Sequence, residues 1–205
     1  MSRTRRLTTS LALAAGVCCL GCDGDSPLDP NLSPEALQAQ AARHDAPLAV
    51  PFHGTTAGML LGMHSAPPGR CPPPYYLLAL YQGRGTATHL GRFTVSGSEC
   101  IYMEPPAPGQ APDPSTMAAG YADFVFTAAN GDQLMVAYDE DTVEYQSDNS
   151  ILWSATPYAT GGTGRFAGAE LVDVTWKGGA SMVTGEIYSS FDGWIRYDAS
   201  SRSRR

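Results

Sequence analysis

Side chains able to do chemistry are scattered along this chain. Of the four histidines, His44, His53, His64 and His89, none has a partner at metal-ligand spacing. His89 falls in step with Phe93 and Val95 when residues 86–95 are read with period two, so it is expected to face inward as a satisfied core imidazole. Ala87 and Gly91 share that face, and their small size would leave room beside the imidazole for facing aromatics or a ligand. His89 and Phe93 are therefore the candidate lumen-facing residues. Asp139-Glu140-Asp141, with Asp148, brings carboxylates together, but without the spacing and glycine of a calcium loop. A solvated acidic loop is the expectation there. No serine or cysteine has a recognisable activating base. The run Gly161-Gly162-Thr163-Gly164 could cradle phosphate only with a helix behind it, and Leu171-Val172-Asp173-Val174-Thr175-Trp176 reads as a strand, so a turn is expected. Ten tyrosines and three tryptophans would fill a core or line a cavity. No catalytic residue, cofactor or metal site is assigned, and the balance leans away from an enzyme.

Composition narrows the partners. The chain has 205 residues, with 13 basic against 20 acidic side chains. Three of the basic residues, Arg3, Arg5 and Arg6, precede an apolar stretch at 7–20. Without them ten basic side chains face twenty acidic ones, a formal charge of −10. Nucleic acid, which needs a basic face, is an unexpected partner.

The arginines and the short apolar stretch have the form of a signal peptide over residues 1–21, too short to span a bilayer comfortably. Leu20-Gly21-Cys22 resembles the lipobox of bacterial lipoproteins, with Cys19 where Leu or Val is usual. That resemblance implies cleavage before Cys22, acylation of its thiol with palmitate-like chains, and attachment to a membrane of the bacterial cell envelope. An ordinary secretory signal is the alternative. Cleavage would leave Cys71 and Cys100 as the two unmodified cysteines in an oxidising compartment, where a disulfide is expected. A metal site would need more ligands than these two.

Residues 22–47 have tether composition, with Ser33-Pro34-Glu35 able to start a short helix. A β domain is expected over 48–198 and a basic tail over 199–205. Glycine and proline are abundant, 22 and 16, and the apolar runs are short. The expected elements are a first strand near 48–56, a proline loop at 67–74, strands at 75–81 and 86–95, and a second proline loop at 104–115. Asn130-Gly131 signals a type I′ hairpin between strands at 121–128 and 133–138. Residues 139–148 read as loop and 151–158 as strand. Lys177-Gly178-Gly179 reads as a hairpin between 171–176 and 182–187, and 194–197 closes the set. The fold class expected is all-β, an antiparallel up-and-down β-barrel of about eight strands.

The blocks Gly85-Thr86-Ala87-Thr88-His89-Leu90-Gly91-Arg92-Phe93-Thr94, Phe126-Thr127-Ala128-Ala129-Asn130-Gly131-Asp132 and Gly161-Gly162-Thr163-Gly164-Arg165-Phe166, in this order, resemble the allene oxide cyclase and dirigent superfamily. The likeness is closest to bacterial proteins sharing that barrel. It implies an eight-stranded barrel able to hold a small apolar ligand, and it carries over no functional residue. Three functions stay open: a tethered barrel binding a small hydrophobic molecule, a cyclase- or isomerase-like enzyme acting by confinement, and a structural lipoprotein with a filled barrel. A polar group buried in an apolar lumen would raise the second.

Overall fold

The computed structural model describes residues 48–110 and 113–197. The leader at 1–21, Cys22, the tether at 22–47 with His44, and the tail at 199–205 lie outside the described residues. The architecture is all-β: one antiparallel sheet of ten strands, curled into a barrel-like form. The strands are β1 (Val50–Ser65), β2 (Leu77–Ala87), β3 (Gly91–Tyr102), β4 (Ala118–Ala128), β5 (Gln133–Tyr138), β6 (Asp141–Tyr145), β7 (Ser150–Ala155), β8 (Tyr158–Gly162), β9 (Glu170–Ser181) and β10 (Glu186–Arg196).

The hydrogen-bonded order is β6-β7-β9-β10-β1-β2-β3-β4-β5-β8. Strands β1 to β5 form the expected meander. The chain then leaves it: β6 and β7 pair with each other and join the far end through β9, while β8 returns to β5. β8 comes alongside β9, and β6 alongside β4, so the curl brings its two ends near opposite walls. Ten strands stand where about eight were expected, because one stretch read as loop conceals a strand and one read as a single strand divides in two. Residues 139–148 contain β6 and are not simply loop, and residues 151–158 break at Thr156-Pro157 between β7 and β8.

One half of the interior is packed solid with aromatic rings. Phe52 lies 4.8 Å from Phe191, and Phe93 lies 5.2 Å from Phe126. Trp176 occupies the middle, its ring 4.9 Å from Phe124 and 5.4 Å from Trp153. These rings need space, and glycines give it. A β-carbon on Gly178 would stand 2.6 Å from Trp153 Cζ2, and one on Gly179 would stand 2.5 Å from the Tyr188 hydroxyl. That is why Lys177-Gly178-Gly179 runs straight through the middle of β9, and the hairpin expected there lies at 182–185 instead. Gly54 and Gly58 likewise sit within the unbroken β1.

Two turns also differ from expectation. Asn130-Gly131 does join β4 to β5, but only Gly131 has positive φ, at 87°. The Gly131 amide donates to Ala128 O (2.9 Å) and the Ala128 amide to Asp132 O (2.9 Å). A type I turn closed by a left-handed glycine makes this pattern, whereas type I′ needs positive φ at both central residues. Residues 86–95 are not one strand. β2 ends at Ala87, and Thr88-His89-Leu90 is a turn in which His89 has φ 65°. Leu90, which period two would place on the face opposite Phe93, is 2% exposed, because the turn rotates it into the core.

The expected disulfide is present: Cys71 and Cys100 are bonded, with Cα atoms 5.6 Å apart. It fastens the proline loop to β3. Beside it the Arg70 guanidinium donates to both oxygens of Asp123 (2.8 and 2.7 Å) and to Ser98 Oγ (2.6 Å).

Candidate functional site

The half of the interior away from the packed phenylalanines holds a cavity of about 80 Å³. That is room for a few waters or a small organic group. Its polar centre is Glu99. Along β3, alternation sends Phe93, Val95, Gly97, Glu99 and Ile101 to one face, so the same periodicity that buries phenylalanine also buries a carboxylate. Glu99 is 7% exposed.

Pairing registers explain how the fold accommodates it. Glu99 lies opposite Ala79 of β2 on one side and Ala122 of β4 on the other, and Ala122 lies opposite Tyr138 of β5. Both alanines are fully buried. Short side chains flanking Glu99 leave its carboxylate open to phenols from further away. The Tyr138 hydroxyl reaches across Ala122 to donate to Oε1 at 2.5 Å, and the Tyr81 hydroxyl donates to Oε2 at 2.7 Å. Just past Glu99, a shift in the β3–β4 register places an extra residue on β4. Such bulges re-aim side chains beside functional sites.

A second carboxylate completes the cluster. Asp141, first residue of β6, lines the same cavity, and its Oδ1 is buried with no hydrogen-bond partner. Burial, and then the Glu99 charge, push its pKa up to about 8. Burial also raises Glu99, against the lowering effect of the Tyr138 and Tyr81 hydrogen bonds. Both phenols are held well above their ordinary range, chiefly by burial and then by the neighbouring Glu99 charge. Among the described residues, no lysine, arginine or histidine lines the cavity.

The facing wall is aromatic and apolar. Trp153 and Trp176 stand there, and Trp176 Nε1 donates to Ser189 Oγ at 2.9 Å. The Ser189 and Thr56 hydroxyls share a hydrogen bond of 2.5 Å. Met59, Met63, Met117 and Met182 supply unbranched, adaptable walls toward the opening. Chemically, the arrangement offers an apolar chamber with two carboxyl groups at one side, Glu99 hydrogen-bonded and Asp141 with an unpartnered oxygen, able to orient a polar group on a small molecule or exchange a proton with it.

The residues singled out from the sequence fall elsewhere. His89 is half-buried in the β2–β3 turn and does not line the cavity. Its Nε2 donates to the Pro51 carbonyl (3.1 Å), and its Nδ1 shares a hydrogen bond with the Tyr197 hydroxyl (2.8 Å). Ala87 and Gly91 therefore open no lumenal space beside it, and Gly91 is exposed. Phe93 is buried in the solid aromatic half. His53 and His64 are exposed. Among the described residues, no three His, Cys, Asp or Glu side chains gather as metal ligands would. Glu99 and Asp141 were missed as site residues, although continuing the period from Phe93 and Val95 by two steps reaches Glu99. No family model matches the chain, and no curated protein matches it.

Proposed function

We propose that this is a lipoprotein tethered in the bacterial cell envelope through Cys22, and that its barrel-like domain binds a small hydrophobic molecule in the chamber beside Glu99. The observation that carries the lumenal part is a cavity of about 80 Å³, apolar on most sides, with Glu99, Tyr81 and Tyr138 held in one hydrogen-bonded group at its wall. A merely filled barrel has no need of a buried carboxylate, whose desolvation is costly unless it is paired or hydrogen-bonded. The tether rests on Leu20-Gly21-Cys22, and the likeness to the allene oxide cyclase and dirigent superfamily supports a ligand-holding lumen.

Trp153 and Trp176 line the chamber, whereas Trp194 is 46% exposed. Bromobenzene, a small heavy-atom quencher, should therefore quench most of the tryptophan emission saturably in the lumenal reading. Quenching confined to the exposed, linear Trp194 component would oppose it.

A second reading is favoured by Glu99 and Asp141: a cyclase- or isomerase-like enzyme in which confinement is joined by proton exchange. Two carboxyl groups with raised pKa in an apolar chamber suit general acid–base work. Loss of turnover in Glu99→Gln, with bromobenzene quenching retained, would separate that reading from simple binding.

A further inference from the structure

The polar wall of the chamber carries negative charge and, among the described residues, no positive partner. Glu99 accepts a phenol hydrogen at each of its oxygens, the pattern of an ionised carboxylate. Asp141 Oδ1, at the same cavity, is buried and has no donor. The titratable groups facing Asp141 are Tyr81 from β2, Glu99 from β3 and Tyr138 from β5, while the cavity-facing residues of β1, β4, β7, β9 and β10 include none. Every one of these groups is acidic. Buried carboxylates are normally paired or hydrogen-bonded, and a cationic group is the chemistry that complements this wall.

We propose that the chamber's ligand is a small apolar amine, bound as its ammonium ion against Asp141 and Glu99 with its hydrocarbon part among the tryptophans and methionines. This rests on the lumen-binding reading above and specifies its ligand class. A hard metal cation fits poorly, since it takes six to eight oxygen ligands, and the walls are largely carbon. An organic cation suits both sides: the carboxylates meet the charge, and the faces of Trp153, Trp176 and Tyr81 attract a desolvated cation. Anionic ligands are disfavoured by the same charges. With no ligand, Asp141 holds a proton near neutral pH, consistent with its pKa of about 8. Ammonium binding displaces that proton to solvent, leaving the carboxylate to pair with the cation.

Calorimetry on the soluble Cys22→Ala chain in detergent-free buffer tests this with benzylamine and its neutral analogue benzyl alcohol. Benzylamine should bind at least about tenfold more tightly near neutral pH, a difference of ~1.4 kcal/mol. Its affinity should rise between about pH 6 and about pH 8.5, with proton release visible as a buffer-dependent enthalpy. Asp141→Asn should lose the preference for the amine while still binding benzyl alcohol. If that variant does not fold, proton release by the parent chain decides the matter. Benzyl alcohol binding as tightly as benzylamine, with no proton release, overturns the amine inference and leaves the lumen reading standing. Failure of both probes to bind overturns both.

Discussion

Asp141→Asn should change how stability depends on pH. In the unfolded chain Asp141 titrates near its model-peptide value of 3.8, and in the fold burial and the Glu99 charge push it up to about 8. Between those values the folded state holds a proton that the unfolded state has released. Its stabilising contribution is therefore complete below the lower value and is lost as pH rises through the upper one. At ~1.4 kcal/mol per pH unit, the span from about pH 5 to about pH 8 sets a ceiling of ~4 kcal/mol. Water entering the mouth of the chamber reduces this, so the parent chain should lose ~2–4 kcal/mol more than the variant across that span. Asparagine cannot titrate and keeps the shape of the protonated acid. Urea unfolding of both proteins at several pH values, with m checked for constancy, measures the difference. Parallel pH profiles, separated by a constant offset, would refute the placement of Asp141 in a low-dielectric chamber.

Other perturbations follow from the same geometry. Replacing both Cys71 and Cys100 by alanine opens a loop of sequence separation 29 and should cost ~3–4 kcal/mol by urea unfolding, so a loss under about 1 kcal/mol would contradict a structural role. Gly97→Ala would drive a methyl group into the Phe124 ring and the Asp123 carbonyl; thermal melts should show a loss of ~1–3 kcal/mol or more, and a neutral result would mean that the β3–β4 packing is wrong. Trp176→Ala removes the ring between Phe124, Phe126 and Trp153 and should cost ~3–5 kcal/mol, again by urea unfolding. Cys22→Ala should move the protein from the membrane to the soluble fraction of a bacterial host, and retention in the membrane would remove the lipobox from the account.

The all-β class and the disulfide were legible because both depend on residue types: short apolar runs between glycine and proline, and two cysteines within the β domain. The strand count and the β9 hairpin were not, because a glycine that makes a turn and a glycine that seats a ring look alike in sequence. Gly178 and Gly179 accommodate the Trp153 and Tyr188 rings from neighbouring strands, contacts that exist only once β7 and β10 lie beside β9. His89 looked lumenal because period two was carried through a turn: Ala87 and Phe93 keep the inward phase on β2 and β3, but the turn residue between them, with positive φ, does not. Glu99 could have been found by following that phase onward. Asp141 could not, since its acidic neighbours suggest a solvated loop, and only the pairing of β6 with β7 brings it to the chamber.

Whether the chamber carries a guest is decided most directly by native mass spectrometry of the protein purified from its native host, compared with Ala180→Leu, which fills space at the cavity wall. A small organic mass retained by the parent and lost from the variant is the predicted result. A parent chain carrying no added mass beyond any lipid on Cys22, or the same mass retained equally by the filled variant, would contradict the lumenal binding site.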